Sequence, residues 1–312
     1  VIAFLFPGQG SQKVGMGKAL AETYPLCRAT FEETDRALGE PLSAVIFDGP
    51  EERLTLTENT QPAILTVSIA AHRLLESRGI VPHFVAGHSL GEYSANVAAG
   101  TFPLADAVRL VRRRGRYMQE AVPVGDGAMA AILGLDAETV GRVCSQVEHD
   151  SGLVVSPANL NGAGQVVIAG ASDAVQQASE RLKAAGARRA IPLSVSAPFH
   201  CALMKPAEER LAPELRALLD HARDPRVPIV ANVDAEPRLD RASAIDALVR
   251  QVASPVQWEA VVQRLASNGV TTYVEVGPGT VLSGLVKKIH RESTVLNFGA
   301  PEDLAAVARA FA

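Results

Sequence analysis

The chain is short of cysteine, of charge imbalance and of long apolar runs, and each shortage narrows what it can be. Its 312 residues hold three cysteines, Cys27, Cys144 and Cys201, and no Cys-x-x-Cys. An odd count without paired spacing argues against a disulfide framework and fits a reducing, cytoplasmic compartment. The seven histidines are scattered, with neither His-Glu-x-x-His nor a Cys/His cluster, so no metal is expected. No apolar stretch approaches the roughly 18 residues of a spanning helix, so no membrane is expected. A net charge of −4 offers no basic footprint for nucleic acid. Internal repeats and low-complexity segments are absent too. The chain opens on Val, as a processed or trimmed start would, and residues 1–6 are too short for a signal peptide and lack a basic leader.

What is present is an ordinary globular composition, 47 % hydrophobic and 21 % charged, long enough for one large domain or a large one with a smaller one. Short β-type runs alternate with amphipathic stretches, which predicts an α/β fold. Strands are expected at 2–6, 84–86, 229–231, 273–276 and 295–298. Helices are expected at 25–38, 62–77, 104–121, 206–219, 244–252, 258–266 and 281–289, where apolar residues recur every three or four positions. Between 125 and 193 the pattern changes to strand, helix, strand, strand, helix, strand, the ferredoxin-like order. This predicts a small domain over 125–193, inserted into a discontinuous domain formed by 1–124 and 194–312. A monomer is the default.

Chemistry is signalled by Gly87-His88-Ser89-Leu90-Gly91, a Gly-x-Ser-x-Gly set between an apolar run and a helical pattern. Such a turn lifts a serine hydroxyl to a helix N-terminus, where free N–H groups can meet a developing oxyanion. A simple N-cap serine before a core helix would use the same residues. A serine needs a base. His72 and His221 sit in helical patterns, His83 precedes the strand, and His88 adjoins the serine but diverges from it. His200 is the better candidate, because it ends a loop that leaves the small domain and re-enters the large one. A loop histidine without a special role fits it equally well. The segment Phe6-Pro7-Gly8-Gln9-Gly10-Ser11-Gln12 follows the first strand and lacks the full dinucleotide spacing; it can supply an oxyanion contact or a plain turn. Of Arg112-Arg113-Arg114, one can face a cleft, since a helix spreads neighbours about 100° apart. Glu275-Val276-Gly277-Pro278-Gly279 reads as a tight strand-to-helix turn.

Taken together, these segments resemble the malonyl-CoA:acyl carrier protein transacylase family. The match is carried by the residues around Gln9, by Gly87 to Ala95 (GHSLGEYSA), by Arg114-Gly115-Arg116-Tyr117-Met118-Gln119 and by Ala158-Asn159-Leu160-Asn161. It continues through Gly164 to Gly170, Phe199-His200-Cys201-Ala202-Leu203-Met204, Pro255-Val256-Gln257-Trp258 and the Glu275 turn. These run in the family's order over nearly the whole chain. The resemblance implies an α/β-hydrolase-like core with a ferredoxin-like insertion. It implies that Ser89 is the nucleophile, His200 the base, Gln9 and the Leu90 N–H the oxyanion hole, and Arg114 the partner of the malonyl carboxylate. It further implies that the Gln251 carbonyl orients the histidine and that Phe199, Asn159 and Asn161 border the substrate. The implied substrates are malonyl-CoA and phosphopantetheinylated acyl carrier protein, with no further cofactor, in fatty-acid or polyketide synthesis. Phe199, where branched-substrate relatives carry Ser, leads us to expect malonyl over methylmalonyl. An acidic carrier protein would meet a basic rim, for which Lys183, Arg188, Arg189, Lys287 and Lys288 are candidates. A serine esterase or thioesterase, a stand-alone polyketide acyltransferase with another acyl preference, and a non-catalytic carrier-binding protein are the competing readings.

Overall fold

The computed structural model describes residues 1–195 and 197–311. Ser196, in the expected exit from the small domain, and Ala312 lie outside the described residues. The chain runs β1 (Ile2–Phe6), α1 (Lys18–Thr23), α2 (Pro25–Leu38), α3 (Leu42–Asp48), α4 (Glu51–Leu54), α5 (Thr57–Ser77), β2 (Phe84–Gly87), α6 (Leu90–Ala99) and α7 (Leu104–Glu120). It continues with β3 (Gly127–Leu133), α8 (Ala137–Ser151), β4 (Val155–Gly162), β5 (Gln165–Ala171), α9 (Ser172–Ala184) and β6 (Arg189–Pro192). The last third holds α10 (Lys205–Ala217), β7 (Ile229–Val230), β8 (Pro237–Arg238), α11 (Arg241–Gln251), α12 (Trp258–Ser267), β9 (Thr272–Val276), α13 (Val281–Ile289), β10 (Thr294–Phe298) and α14 (Leu304–Ala310).

Six strands form a sheet in the order β10-β9-β1-β2-β7-β8, parallel except for β8. The central strand β1 shows why both faces are covered. Side chains alternate along a strand, and Phe4 and Phe6 enter one apolar cluster with α2, α5 and α7, while Ala3 and Leu5 enter another with Trp258 and α13. Parallel strands put their carboxyl ends at one edge, so the loops after β1, β2, β7 and β9 converge there. Glu275 is buried at that edge and accepts the Leu282 and Ser283 N–H groups at 3.1 and 2.7 Å, capping α13. The turn it belongs to is structural.

The other four strands form an antiparallel sheet in the order β4-β5-β3-β6. Ala130 and Ile132 of β3 face α8 and α9, whereas Met129 joins the core of the large sheet. One side of the small sheet is therefore covered by its own helices and the other by the rest of the protein. The edge of β4 is also tied down: Leu160 N–H donates to the Val256 carbonyl at 2.9 Å and Val256 N–H to the Ala158 carbonyl at 2.8 Å.

Most expected elements lie within a few residues of these bounds. The helix expected from 62 begins instead at Thr57, because Pro62 sits inside α5 rather than in its first turn. The short α1, α3, α4 and α14 carry too few turns for an apolar period to show. The second strand of the expected ferredoxin-like order is Val155–Gly162, with register shifts along it. Among the described residues no helix is long and apolar enough to cross a membrane.

Candidate active site

The turn between β2 and α6 can form only with glycines. A Cβ on Gly87 would lie 2.0 Å from the Gly91 carbonyl, and one on Gly91 would lie 2.0 Å from the Phe6 oxygen. With that close approach Ser89 is forced to φ 53° and ψ −107°, as the N-cap of α6. For a residue with a side chain this conformation is strained. It raises Oγ into a cleft of about 680 Å³ bordered by Gln9, Leu90, Arg114, Asn159, Phe199 and His200 among others.

His200 also has a positive φ, 61°, and is buried. Its Nε2 lies 2.6 Å from Ser89 Oγ, and its Nδ1 lies 3.1 Å from the Gln251 carbonyl oxygen. A carbonyl can only accept, so Nδ1 carries the hydrogen and Nε2 is left to take one from the serine. Burial first, and then the Arg114 charge, push the imidazole down to about 3, which keeps it neutral and able to accept a proton.

Arg114 is the most unusual charge in the molecule. It is 1 % exposed, yet among the described residues it meets no carboxylate in an ion pair. Its Nη1 donates to Gln61 Oε1 at 2.8 Å, and its Nη2 donates to Gln251 Oε1 at 3.0 Å and to Ser89 Oγ at 3.1 Å. Its guanidinium carbon stands 5.1 Å from the centre of the Tyr93 ring. Its neighbours in the triplet turn away, Arg112 to Glu40 and Arg113 to Glu214. Gly115 lets α7 come this close, since a Cβ there would lie 2.7 Å from the Thr57 oxygen.

Two further donors line the same cleft. The Leu90 N–H opens α6 and meets no acceptor among the described residues, while Gln9 Nε2 rests on Thr57 Oγ1 at 3.3 Å. Phe199 and Asn159 border the cleft. Asn161 stands one residue back from it: its Oδ1 faces, at 2.9 Å, Nε2 of His88, which itself borders the cleft and packs beside Trp258. Lys183, Arg188, Arg189, Lys287 and Lys288 are exposed, and among the described residues none of them joins an ion pair.

Sequence reasoning did not find Gln61, Glu92 or Asn232. Asn232 Oδ1 accepts the Ser89 N–H at 2.7 Å, and Glu92 is buried beside it, its carboxyl pushed up to about 7 chiefly by burial. The Glu92 position was visible within the GHSLGEYSA segment; nothing local marked the other two. Among the described residues no three His, Cys, Asp or Glu side chains gather as a metal site would need.

Residues 3–304 match the acyl transferase domain family. A malonyl CoA-acyl carrier protein transacylase of Bacillus subtilis is 51 % identical over 303 residues, which is 97 % of this chain and 95 % of that protein. The Escherichia coli K12 protein of the same name is 51 % identical over 305 residues, 97 % of each. Among solved structures, an acyl carrier protein S-malonyltransferase of Vibrio cholerae superposes with a TM-score of 0.95 at 46 % identity, covering 98 % of this chain and 99 % of that one. A malonyl-transacylase in complex with its type II polyketide acyl-carrier protein superposes with a TM-score of 0.95 at 45 % identity, covering 99 % of both chains.

Proposed function

The chain belongs to the acyl transferase family and, within it, to the malonyl-CoA:acyl carrier protein transacylases, and on that premise we propose how its residues share the reaction. Ser89 Oγ attacks the thioester carbonyl of malonyl-CoA as His200 Nε2 takes its proton. The tetrahedral oxyanion is held by the Leu90 N–H and the Gln9 amide. Its collapse expels the CoA thiolate, which regains the proton from His200, and leaves a malonyl ester on Ser89. The phosphopantetheine thiol of acyl carrier protein then gives its proton to His200 and attacks the ester. The second collapse expels the Ser89 oxygen, which takes the proton back from His200, and releases malonyl-carrier protein. The Gln251 carbonyl takes the orienting place that a carboxylate fills in a triad.

The observation that carries this division of labour is Arg114: a buried fork without a carboxylate, 3.1 Å from the nucleophile. A buried guanidinium calls for an anion. The reacting carbonyl carbon must come to Ser89 Oγ, and in a malonyl group the free carboxylate is one methylene away, within the reach of that fork. Pairing does more than bind. It neutralises the charge that weakens His200, so the substrate strengthens the base that will act on it. Phe199 on the cleft wall leaves little room for an α-methyl group, which supports malonyl over methylmalonyl.

The same reading divides the chain into a ferredoxin-like unit over 125–193 and an α/β-hydrolase-like unit over 1–124 and 194–312. The order β4-β5-β3-β6 supports the first, and the mostly parallel sheet with its serine turn supports the second. Three buried, unpaired cysteines support a cytoplasmic setting. For the acceptor, the exposed lysines and arginines at 183, 188, 189, 287 and 288 are the proposed rim for an acidic carrier protein.

Intact mass after brief mixing with malonyl-CoA, without carrier protein, tests the residue roles. Wild type should gain one malonyl group, and Ser89→Ala none. An adduct on Ser89→Ala would overturn the assignment of the nucleophile. Free malonate accumulating without an adduct would favour hydrolysis.

A further inference from the structure

Behind the nucleophile turn lies a buried polar cluster to which the steps above give only Gln251 a part. Glu92, in the first turn of α6, is 1 % exposed. Its Oε2 accepts the Asn232 N–H at 3.0 Å and Gln251 Nε2 at 2.7 Å. Asn232, after β7, is fully buried and gives both ends of its amide to the turn: Oδ1 accepts the Ser89 N–H, and Nδ2 donates to the Gly87 carbonyl, each at 2.7 Å. Gln251 Nε2 also donates to the Ser89 carbonyl at 3.0 Å.

These contacts have a direction. A carboxylate can only accept and a guanidinium can only donate. With Glu92 ionised, the Gln251 amide therefore has one orientation, Nε2 toward Glu92 and Oε1 toward Arg114. The same residue holds His200 through its backbone carbonyl. Asn232 acts on the other side: by occupying the Ser89 N–H it leaves Leu90 as the N–H of the turn that is open to an oxyanion. A strained serine persists only where its surroundings over-determine it, and here side chains from two other elements hold its N–H and its carbonyl.

We propose that Glu92 and Asn232 are positioning residues of the acyl transfer: Glu92, through the Gln251 amide, fixes the Arg114 fork and the His200 ring, and Asn232 fixes Ser89 so that the oxyanion is directed to Leu90. This rests on the roles given above to Ser89, His200, Arg114 and Leu90. Glu92 is faced by Gln251 of α11, by Tyr93 of its own helix, by Arg114 of α7, and by Arg238 and Asp234 at and before β8, of which Arg238 favours its charge and Asp234 opposes it. Once protonated, Glu92 is a weaker acceptor for Gln251 Nε2, so the amide that Arg114 and the Ser89 carbonyl orient is held less firmly. Acylation should therefore slow as pH falls through about 7, where burial places this carboxyl. The His200 limb lies far lower, near 3.

The test is single-turnover malonylation by malonyl-CoA from pH 5.5 to 9, in wild type, Glu92→Gln and Asn232→Ala, each checked by thermal melt, with Ser89→Ala as blank. A misplacement of catalytic groups of this kind costs on the order of tenfold to a hundredfold in rate. Glu92→Gln, which keeps the shape, should be slowed by that factor at pH 8 and lose the limb near pH 7. It should also discriminate less between malonyl and acetyl groups. Asn232→Ala should lose rate with little change in the malonyl-CoA concentration needed for half-saturation. If Glu92→Gln keeps the limb, or runs within twofold of wild type at pH 8, Glu92 has no positioning role. Asn232→Ala running within twofold would remove Asn232 in the same way. If Asn232→Ala shows no cooperative melt, Glu92→Gln decides the proposal alone. Uptake of malonyl by Ser89→Ala would instead refute the underlying site.

Discussion

Replacing Arg114 by Met keeps most of the side-chain volume and removes the charge, which makes the malonyl-to-acetyl ratio the informative quantity. Breaking a buried ion pair by deleting one partner costs about 3–5 kcal/mol. For malonyl-CoA that corresponds to a loss of roughly a hundred- to several-thousand-fold in kcat/KM. Acetyl-CoA has no carboxylate to lose. For it the removal of a positive charge beside His200 acts in the opposite direction, because that charge is one of the causes holding the imidazole down. Gln61 and Gln251 each lose a donor in the variant, at about 1 kcal/mol per hydrogen bond, but this penalty falls on both substrates and cancels in the ratio. Rapid-quench measurement of acyl-serine formation with each thioester at pH 7 gives the two rates directly. We expect the ratio to collapse by at least a hundredfold, with acetyl transfer falling far less than malonyl transfer. An equal fall for both substrates would refute the reasoning and make Arg114 a structural residue.

Gln9→Ala should lower kcat by roughly a hundred- to a thousandfold, as removal of one oxyanion donor does, and a change confined to KM would show that Gln9 serves binding instead. Phe199→Ser should raise methylmalonyl-CoA turnover relative to malonyl-CoA in a competition assay; an unchanged ratio would move the selectivity elsewhere. His72, buried edge-on to Phe4 and Phe6, is pushed down to about 4, chiefly by burial. Its folded value lies below the unfolded one, so it contributes stability that is present above about pH 6.5 and lost as pH falls toward 4. The loss approaches about 3 kcal/mol once pH is below both values. In urea melts from pH 7 to 4.5, His72→Phe should therefore lose less stability as pH falls than wild type does, with the buried His200 and Glu92 acting equally in both; a variant with the wild-type slope would contradict the assignment.

The sequence revealed those parts of the site whose chemistry is local. Gly87-His88-Ser89-Leu90-Gly91 announces its turn because close backbone approach admits only glycine at its ends, and that constraint is written in adjacent residues. The long-range parts were legible only by resemblance. Nothing beside Gln251 in the chain says that its carbonyl meets His200, or that Asn232 reaches back 143 positions to Ser89. Gln61 stayed hidden because a glutamine inside a buried helix carries no pattern of its own. Proline misled once, since Pro62 suggested a first turn although α5 begins five residues earlier. Asn161 shows the same limit in a strand: alternation from Asn159 puts both side chains on one face, but does not say that Asn159 borders the cleft while Asn161 reaches it only through His88.

Ser89 opens onto a single cleft, walled on one side by loops of the large sheet and on the other by Met129, Asn159 and the segment after β6. Donor and acceptor both arrive on a pantetheine arm, and on the proposed roles the acyl carbon passes between the sulfur of each arm and the same Ser89 oxygen. Such a floor plan is a one-berth dock. Cargo has to be left on the quay before the next vessel can enter, so free CoA and carrier protein should compete for the loaded enzyme. Flux is then governed by the relative supply of the two arms, and accumulated CoA unloads the enzyme backwards.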